Sequence, residues 1–199
     1  MISSEILAKH YREYASRPQD WVDLRAHIKK QIVQDVFEQT GFSPTGNPVK
    51  IAVLGASDKR YIAVHHTIFT EAVQKDVAMI TFDLDEAHLA GAHGIVEHDV
   101  TSPFPETGFE LIFSHALMKF ILPQEQAVVL KNAYNALAPG GLAMHILHFA
   151  ELKGGTILKD WQYRADVEKI VAALAKDGII CKPISLNIDG GTVVLVTQK

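Results

Sequence analysis

Apolar and polar positions change their period along the chain. Residues 4–16 carry Ile6, Leu7, Tyr11 and Tyr14 as a partial helical stripe, with Glu5 suited to the positive end of the helix dipole. Pro18 interrupts that stripe, and Asp20 is a candidate N-cap for a second helix. There Trp21, Leu24, Ile28, Ile32 and Val36 recur at near-helical spacing until Gly41 supplies a stop. The segment 42–48, FSPTGNP, reads as a linker. Beyond it, short apolar runs predict strands over 51–54, 77–82, 94–97, 110–113 and 142–147. Helical patterns over 59–73, 86–90, 123–137 and 166–176 are set among them, with Pro123 suited to a first helical position. The chain finishes differently, because 179–188 and 192–197 flank Asp189-Gly190-Gly191, a hairpin signal.

Strands alternating with helices, closed by an antiparallel hairpin, predict an α/β three-layer sandwich around a mostly parallel sheet. The two leading helices, within residues 1–48, form an N-terminal extension that caps it, and 49–199 form the main domain. With 199 residues the chain suffices for one sizeable core. The net charge of −4, without a long basic run, argues against a nucleic-acid-binding surface. A single cysteine, Cys181, excludes an internal disulfide and suits a reducing compartment. No apolar run is long enough to span a bilayer, and the expectation is a cytoplasmic protein that does not bind membranes. The oligomeric state is not legible in these residues.

The organising stretch is 50–58, KIAVLGASD: a buried strand, a tight turn at Gly55 and the start of a helix. Such a turn presents backbone N–H groups to a ligand beyond the strand end, although an ordinary strand-to-helix turn has the same pattern. In open α/β sheets ligands sit beyond the carboxyl ends of the strands. The candidates are therefore Gly55, Ala56, Ser57 and Asp58, then Asp83, Asp99 with Val100, Ser114 with His115, and His148. Asp83 offers two acceptor oxygens to a ribose, or else caps the short segment after it together with Asp85. Asp99 can take an adenine amino group or simply open the turn that Pro103 and Pro105 continue. His145 and His148 fall on opposite faces of a strand, and His65 and His66 point apart on a helix, so neither pair implies a metal.

From Lys50 onward the chain resembles the Rossmann-like S-adenosylmethionine (SAM)-dependent methyltransferases. VLGAS is similar to a weakened Gly-rich first motif, and FDLD, 82–85, to the motif whose acid binds the SAM ribose. The segment 97–117, EHDVTSPFPETGFELIFSHAL, resembles the acid-turn-strand segment beside the adenine. LKNAYNALAPGGLAMHIL, 130–147, resembles the helix, Pro-Gly-Gly turn and fifth strand of many small-molecule members, and the terminal hairpin also matches. Val53 stands where the family usually has an acid, and Ser57 and Lys59 replace further glycines.

The resemblance implies SAM as cofactor and a small-molecule acceptor. Gly55, Ala56, Ser57, Asp83, Asp99, Val100 and Ser114 would lie about the cofactor, with Lys59 or Arg60 paired to its methionine carboxylate. His115 and His148 are the candidate bases, since histidine is the usual base near neutral pH; polar filling at the sheet edge is the alternative. Tyr11, Tyr14, Trp21, Trp161 and Tyr163 are candidate aromatic walls or anchors of the extension, and Gly154–Gly155 a hinge for a lid. Two other readings stay open: a non-catalytic binding protein of the same fold, and a nucleotide-cofactor oxidoreductase. The second lacks its expected three-glycine fingerprint.

Overall fold

A computed structural model describes residues 3–148, 152 and 158–199. Its helices are α1 (Ser4–Ala15), α2 (Gln19–Thr40), α3 (Arg60–Val73), α4 (Gln126–Ala136) and α5 (Val167–Lys176). The strands are β1 (Val49–Leu54), β2 (Val77–Asp83), β3 (Ile95–Glu97), β4 (Phe109–His115), β5 (Leu137–His148), β6 (Cys181–Leu186) and β7 (Thr192–Gln198). They form one seven-stranded sheet in the order β3-β2-β1-β4-β5-β7-β6. The first five pair in parallel, and β7 runs antiparallel to both β5 and β6. This is the three-layer α/β sandwich with a terminal hairpin that the sequence predicts.

Side-chain alternation along each strand builds two cores, one on each sheet face. Ile51, Val53, Leu111, Phe113, Met144 and Ile146 pack with Ile32, Val33 and Val36 of α2 and with Ile68 and Phe69 of α3. Ala52, Leu54, Ile112, Ala143 and Leu147 pack with Val129, Leu130 and Ala133 of α4 and with Ile170 and Leu174 of α5. The second half of α2 is thus a full member of one helical layer.

Several expected boundaries shift for identifiable reasons. α2 begins at Gln19 with Pro18 at its N-cap, so Asp20 lies in the first turn, where its carboxylate accepts only the adjacent Trp21 N–H. The segment 86–90 contracts to one 3₁₀ turn, Ala87–Leu89. Pro123 precedes α4, which starts at Gln126. The Gln126 carboxamide is buried and donates to the Met118 and Arg164 carbonyls at 3.0 and 3.2 Å, fixing that end. β5 runs from Leu137 straight through Pro139-Gly140-Gly141. At Gly141 a Cβ would stand 2.9 Å from the carbonyl oxygens of Ala138 and Phe109, so only glycine permits this approach to β4.

Candidate active site

The carboxyl ends of β1–β5 open into a cavity of about 650 Å³, within the usual size range of small-molecule sites. α1 and the first half of α2 supply its other wall through His10, Tyr11, Tyr14, Trp21, Arg25 and Lys29.

At the end of β1, Gly55 adopts φ +78° and donates its N–H to the Phe82 carbonyl at 2.7 Å. The Ala56 N–H donates to Asp83 Oδ2 at 2.8 Å, and His88 Nε2–H donates to the Ala56 carbonyl at 2.7 Å. The backbone of Ala56 is therefore held on both sides by groups at or beyond the end of β2. Asp83 is 6% exposed, and burial pushes its carboxyl up against the opposing effect of the Ala56 N–H. Its second oxygen, Oδ1, has only long contacts, with the Tyr11 hydroxyl and the Asp85 N–H at 3.3 Å each. Tyr11 in turn stacks on the His88 ring at 3.5 Å between centroids.

Past Gly55 the loop enters α3. Asp58 is buried and accepts from the Arg60 N–H at 2.9 Å and Nε at 2.8 Å, and it also accepts from Nη2. The same guanidinium donates to the Arg17 and Tyr14 carbonyls at 2.9 and 3.1 Å, closing the C-terminal end of α1. At the end of β3, Asp99 Oδ1 accepts from the Thr101 N–H at 2.9 Å and its hydroxyl at 2.7 Å, a local turn bracket.

The other half of the cavity lies beyond β4 and β5. Ser114 is buried with its Oγ 2.9 Å from His145 Nδ1, away from the cavity. His115 follows it into the cavity, and the next residue, Ala116, holds φ +56°, a sparsely populated conformation for a side-chain-bearing residue. The His115 and His148 rings meet edge to face at 4.4 Å. Arg25 donates to His148 Nε2 and, at 2.5 Å, to Asp189 Oδ2, while His148 Nδ1 lies 3.4 Å from that same oxygen. Since a guanidinium can only donate, His148 Nε2 is the accepting nitrogen and the proton resides on Nδ1. Burial and the Arg25 charge push the His148 pKa down to about 3. Burial, then the neighbouring His148 and cations, push His115 well below its usual range; its Nε2 is buried and has no hydrogen-bond partner among the described residues.

Of the residues singled out from the sequence, Gly55, Ala56, Ser57, Asp83, Asp99, Val100, His115 and His148 come together around this cavity. Lys59, Arg60 and Ser114 are not among the described residues that line it. Tyr11, Tyr14 and Trp21 form walls, and Trp161 packs on Phe120 at 5.6 Å between rings. The Gly154–Gly155 hinge lies outside the described residues. Sequence reasoning missed Arg25, Lys29, His65 and Asp189. Lys29 had left a signal, since it stands at i, i+3, i+4 and i+7 with Ile32, Val33 and Val36, a cation inside an apolar stripe.

No protein-family model matches the chain, and no protein of curated function matches its sequence. Solved structures do match. A TehB-like SAM-dependent methyltransferase from Corynebacterium glutamicum is 18% identical with a TM-score of 0.61, over 96% of this chain and 99% of that one. The N-methyltransferase NodS from Bradyrhizobium japonicum, in complex with S-adenosylhomocysteine (SAH), is 10% identical with a TM-score of 0.60, over 98% and 97%. An O-methyltransferase family protein from Burkholderia thailandensis is 13% identical with a TM-score of 0.59, over 86% of this chain but 55% of its own length. The chain therefore spans about half of that protein and nearly all of the other two. What it shares with them is the fold, that of the Rossmann-like SAM-dependent methyltransferases.

Proposed function

We propose that this protein is a SAM-dependent methyltransferase acting on a small-molecule acceptor in the cytoplasm. The observation that carries the reading is the buried Asp83 carboxylate at the end of β2. One of its oxygens is bound to the Ala56 N–H, and the other has only 3.3 Å contacts that a stronger donor can replace. That is the chemistry a ribose diol requires, and the fold relative NodS carries SAH. When bound, SAM supplies an electrophilic methyl group. The protein's part is to hold both reactants in line and exclude water.

In this reading the Gly55–Ser57 backbone approaches the cofactor closely, and Asp99 and Val100 flank its base. His115 takes the acceptor's proton on Nε2, because burial keeps the ring neutral and that nitrogen has no partner among the described residues. The lone pair of His148 is already committed to Arg25, so His148 positions His115 across their 4.4 Å ring contact. The buried, free Cys181 is in keeping with a reducing compartment. No described helix is long and apolar enough to cross a membrane.

Thermal unfolding with SAM, SAH or NAD tests the reading. A ligand at about a hundred times its dissociation constant adds about 2.7 kcal/mol, which for a domain of this size raises the midpoint by about 5–10 °C. SAM and SAH are expected to give that rise and NAD none. No rise with SAM or SAH would overturn the assignment.

A further inference from the structure

A second cluster of charged side chains lines the cavity between α2, α3 and the end of β5. Lys29 of α2 lines the cavity and is 4% exposed. Its Nζ lies 2.9 Å from His65 Nε2 and 3.8 Å from the centroid of the Tyr61 ring. Among the described residues no carboxylate forms an ion pair with it. One turn earlier on the same helix, Arg25 faces His148 and Asp189. His115, with its unpartnered Nε2, lies close enough to Lys29 and Arg25 for both to depress its basicity.

Among the described residues, the cations Lys29, Arg25 and Lys119 line the cavity with neutral imidazoles, and of the lining acids outside the Asp83–Asp99 end, Asp189 is already bound to Arg25 while Glu125 lies beyond Phe120. The acids Asp83 and Asp99 belong to the other end and are engaged there by Ala56 and Thr101. A buried ammonium is costly without a counter-ion, and an aromatic face or an imidazole compensates only partly. An anion is the species that completes the site. The adjoining walls, Tyr14, Trp21 and Phe120, favour a flat apolar body attached to it.

We propose that Lys29 and Arg25 form an anion subsite that seats the carboxylate of an aromatic acid, the ring lying against Tyr14, Trp21 and Phe120. That this acid is the methyl acceptor rests on the methyltransferase reading; the subsite itself does not. Arg25 meets His148 at the end of β5, apart from the Asp83 contacts, and that placement assigns the subsite to the acceptor rather than to the cofactor.

Titration calorimetry at pH 6, where Lys29 carries its proton, with benzoate, benzamide and benzylamine tests this on the SAH-loaded protein and on the Lys29→Met and Lys29→Gln variants. Benzoate is expected to bind at least tenfold more tightly than its amide or amine. Both variants are expected to lose that preference while SAH affinity stays within twofold. Benzoate binding no tighter than benzamide, or a preference retained in both variants, would overturn the proposal. So would a tenfold loss of SAH affinity in the variants with 5′-methylthioadenosine affinity unchanged, because Lys29 would then serve the cofactor's own carboxylate. Should the wild-type protein fail to bind SAH, the methyltransferase reading fails, and the benzoate–benzamide contrast on the free protein still decides the subsite.

Discussion

Tyr11 and Asp83, far apart in sequence, meet where α1 crosses the end of β2, the phenol donating to the carboxylate at 3.3 Å. Burial and the Asp83 charge hold the phenol well above its ordinary range, so it remains a donor at all working pH values. In the proposed site, this contact occupies the oxygen that a ribose would use. Tyr11→Phe is therefore expected to cost about 0.5–1.5 kcal/mol of stability while leaving SAH affinity unchanged or a few-fold tighter. Urea unfolding and calorimetry read the two effects separately, and a tenfold weaker SAH complex would show that the hydroxyl itself binds ligand.

Arg60 gives the opposite kind of test. Its guanidinium joins Asp58 to the end of α1, so Arg60→Met is expected to loosen α1 and raise amide exchange over residues 4–15. SAH affinity should stay within threefold. A loss of tenfold or more would return Arg60 to the cofactor's carboxylate.

Lys29 carries a pH signature. Burial, followed by the Arg25 charge, pushes its pKa down to about 7 from 10.5. Between those values the unfolded chain binds the proton and the folded one does not, so stability rises with pH. The slope from this group approaches 1.4 kcal/mol per pH unit. Below pH 7 the penalty is fully present. Lys29→Met is expected to be more stable than the wild type at pH 6–7, the gap closing toward pH 10. A gap independent of pH would contradict the assignment of a depressed lysine.

Acid should unfold this protein early. Burial pushes His10 and His145 down to about 4 and His148 to about 3, so all three stay neutral when folded. Below pH 6.5 the unfolded state gains protons that the folded state refuses, so stability falls as pH drops from 6.5 toward 4. Each histidine contributes up to about 1.4 kcal/mol per pH unit. His145→Gln is expected to reduce that slope by one histidine's share in urea titrations at several pH values. An unchanged slope would mean that His145 is protonated in the folded protein.

The sheet was legible in the sequence because its strands are short apolar runs punctuated by Gly, Pro and Asp. The hairpin at Asp189-Gly190-Gly191 was also legible, and all three residues hold positive φ. β5 was foreshortened because Pro-Gly-Gly ordinarily means a turn; here Gly141 exists for close approach to the Phe109 carbonyl. The stripe on α2 was right at Ile28, Ile32 and Val36 and wrong at Leu24. Leu24 is 56% exposed and Val22 fully buried, because the buried face follows Val22, Lys29, Ile32, Val33 and Val36. Periodicity counts apolar residues, so it passed over a lysine whose stem is core and whose head faces the cavity. The strand-end residues of the site were visible from topology alone. The partners reaching in from α2 and the hairpin were not, since only tertiary packing brings Arg25 to His148 and Asp189.

The measurement that bears most directly on the account is the equilibrium affinity for SAH of the wild-type protein and of Asp83→Ala. Loss of a charged acceptor for ribose hydroxyls is worth about 1.5–3 kcal/mol, so the variant is expected to bind roughly 10- to 150-fold more weakly than a saturable wild-type complex. Absence of SAH binding to the wild type, or equal affinity in the folded variant, would contradict the cofactor site described here.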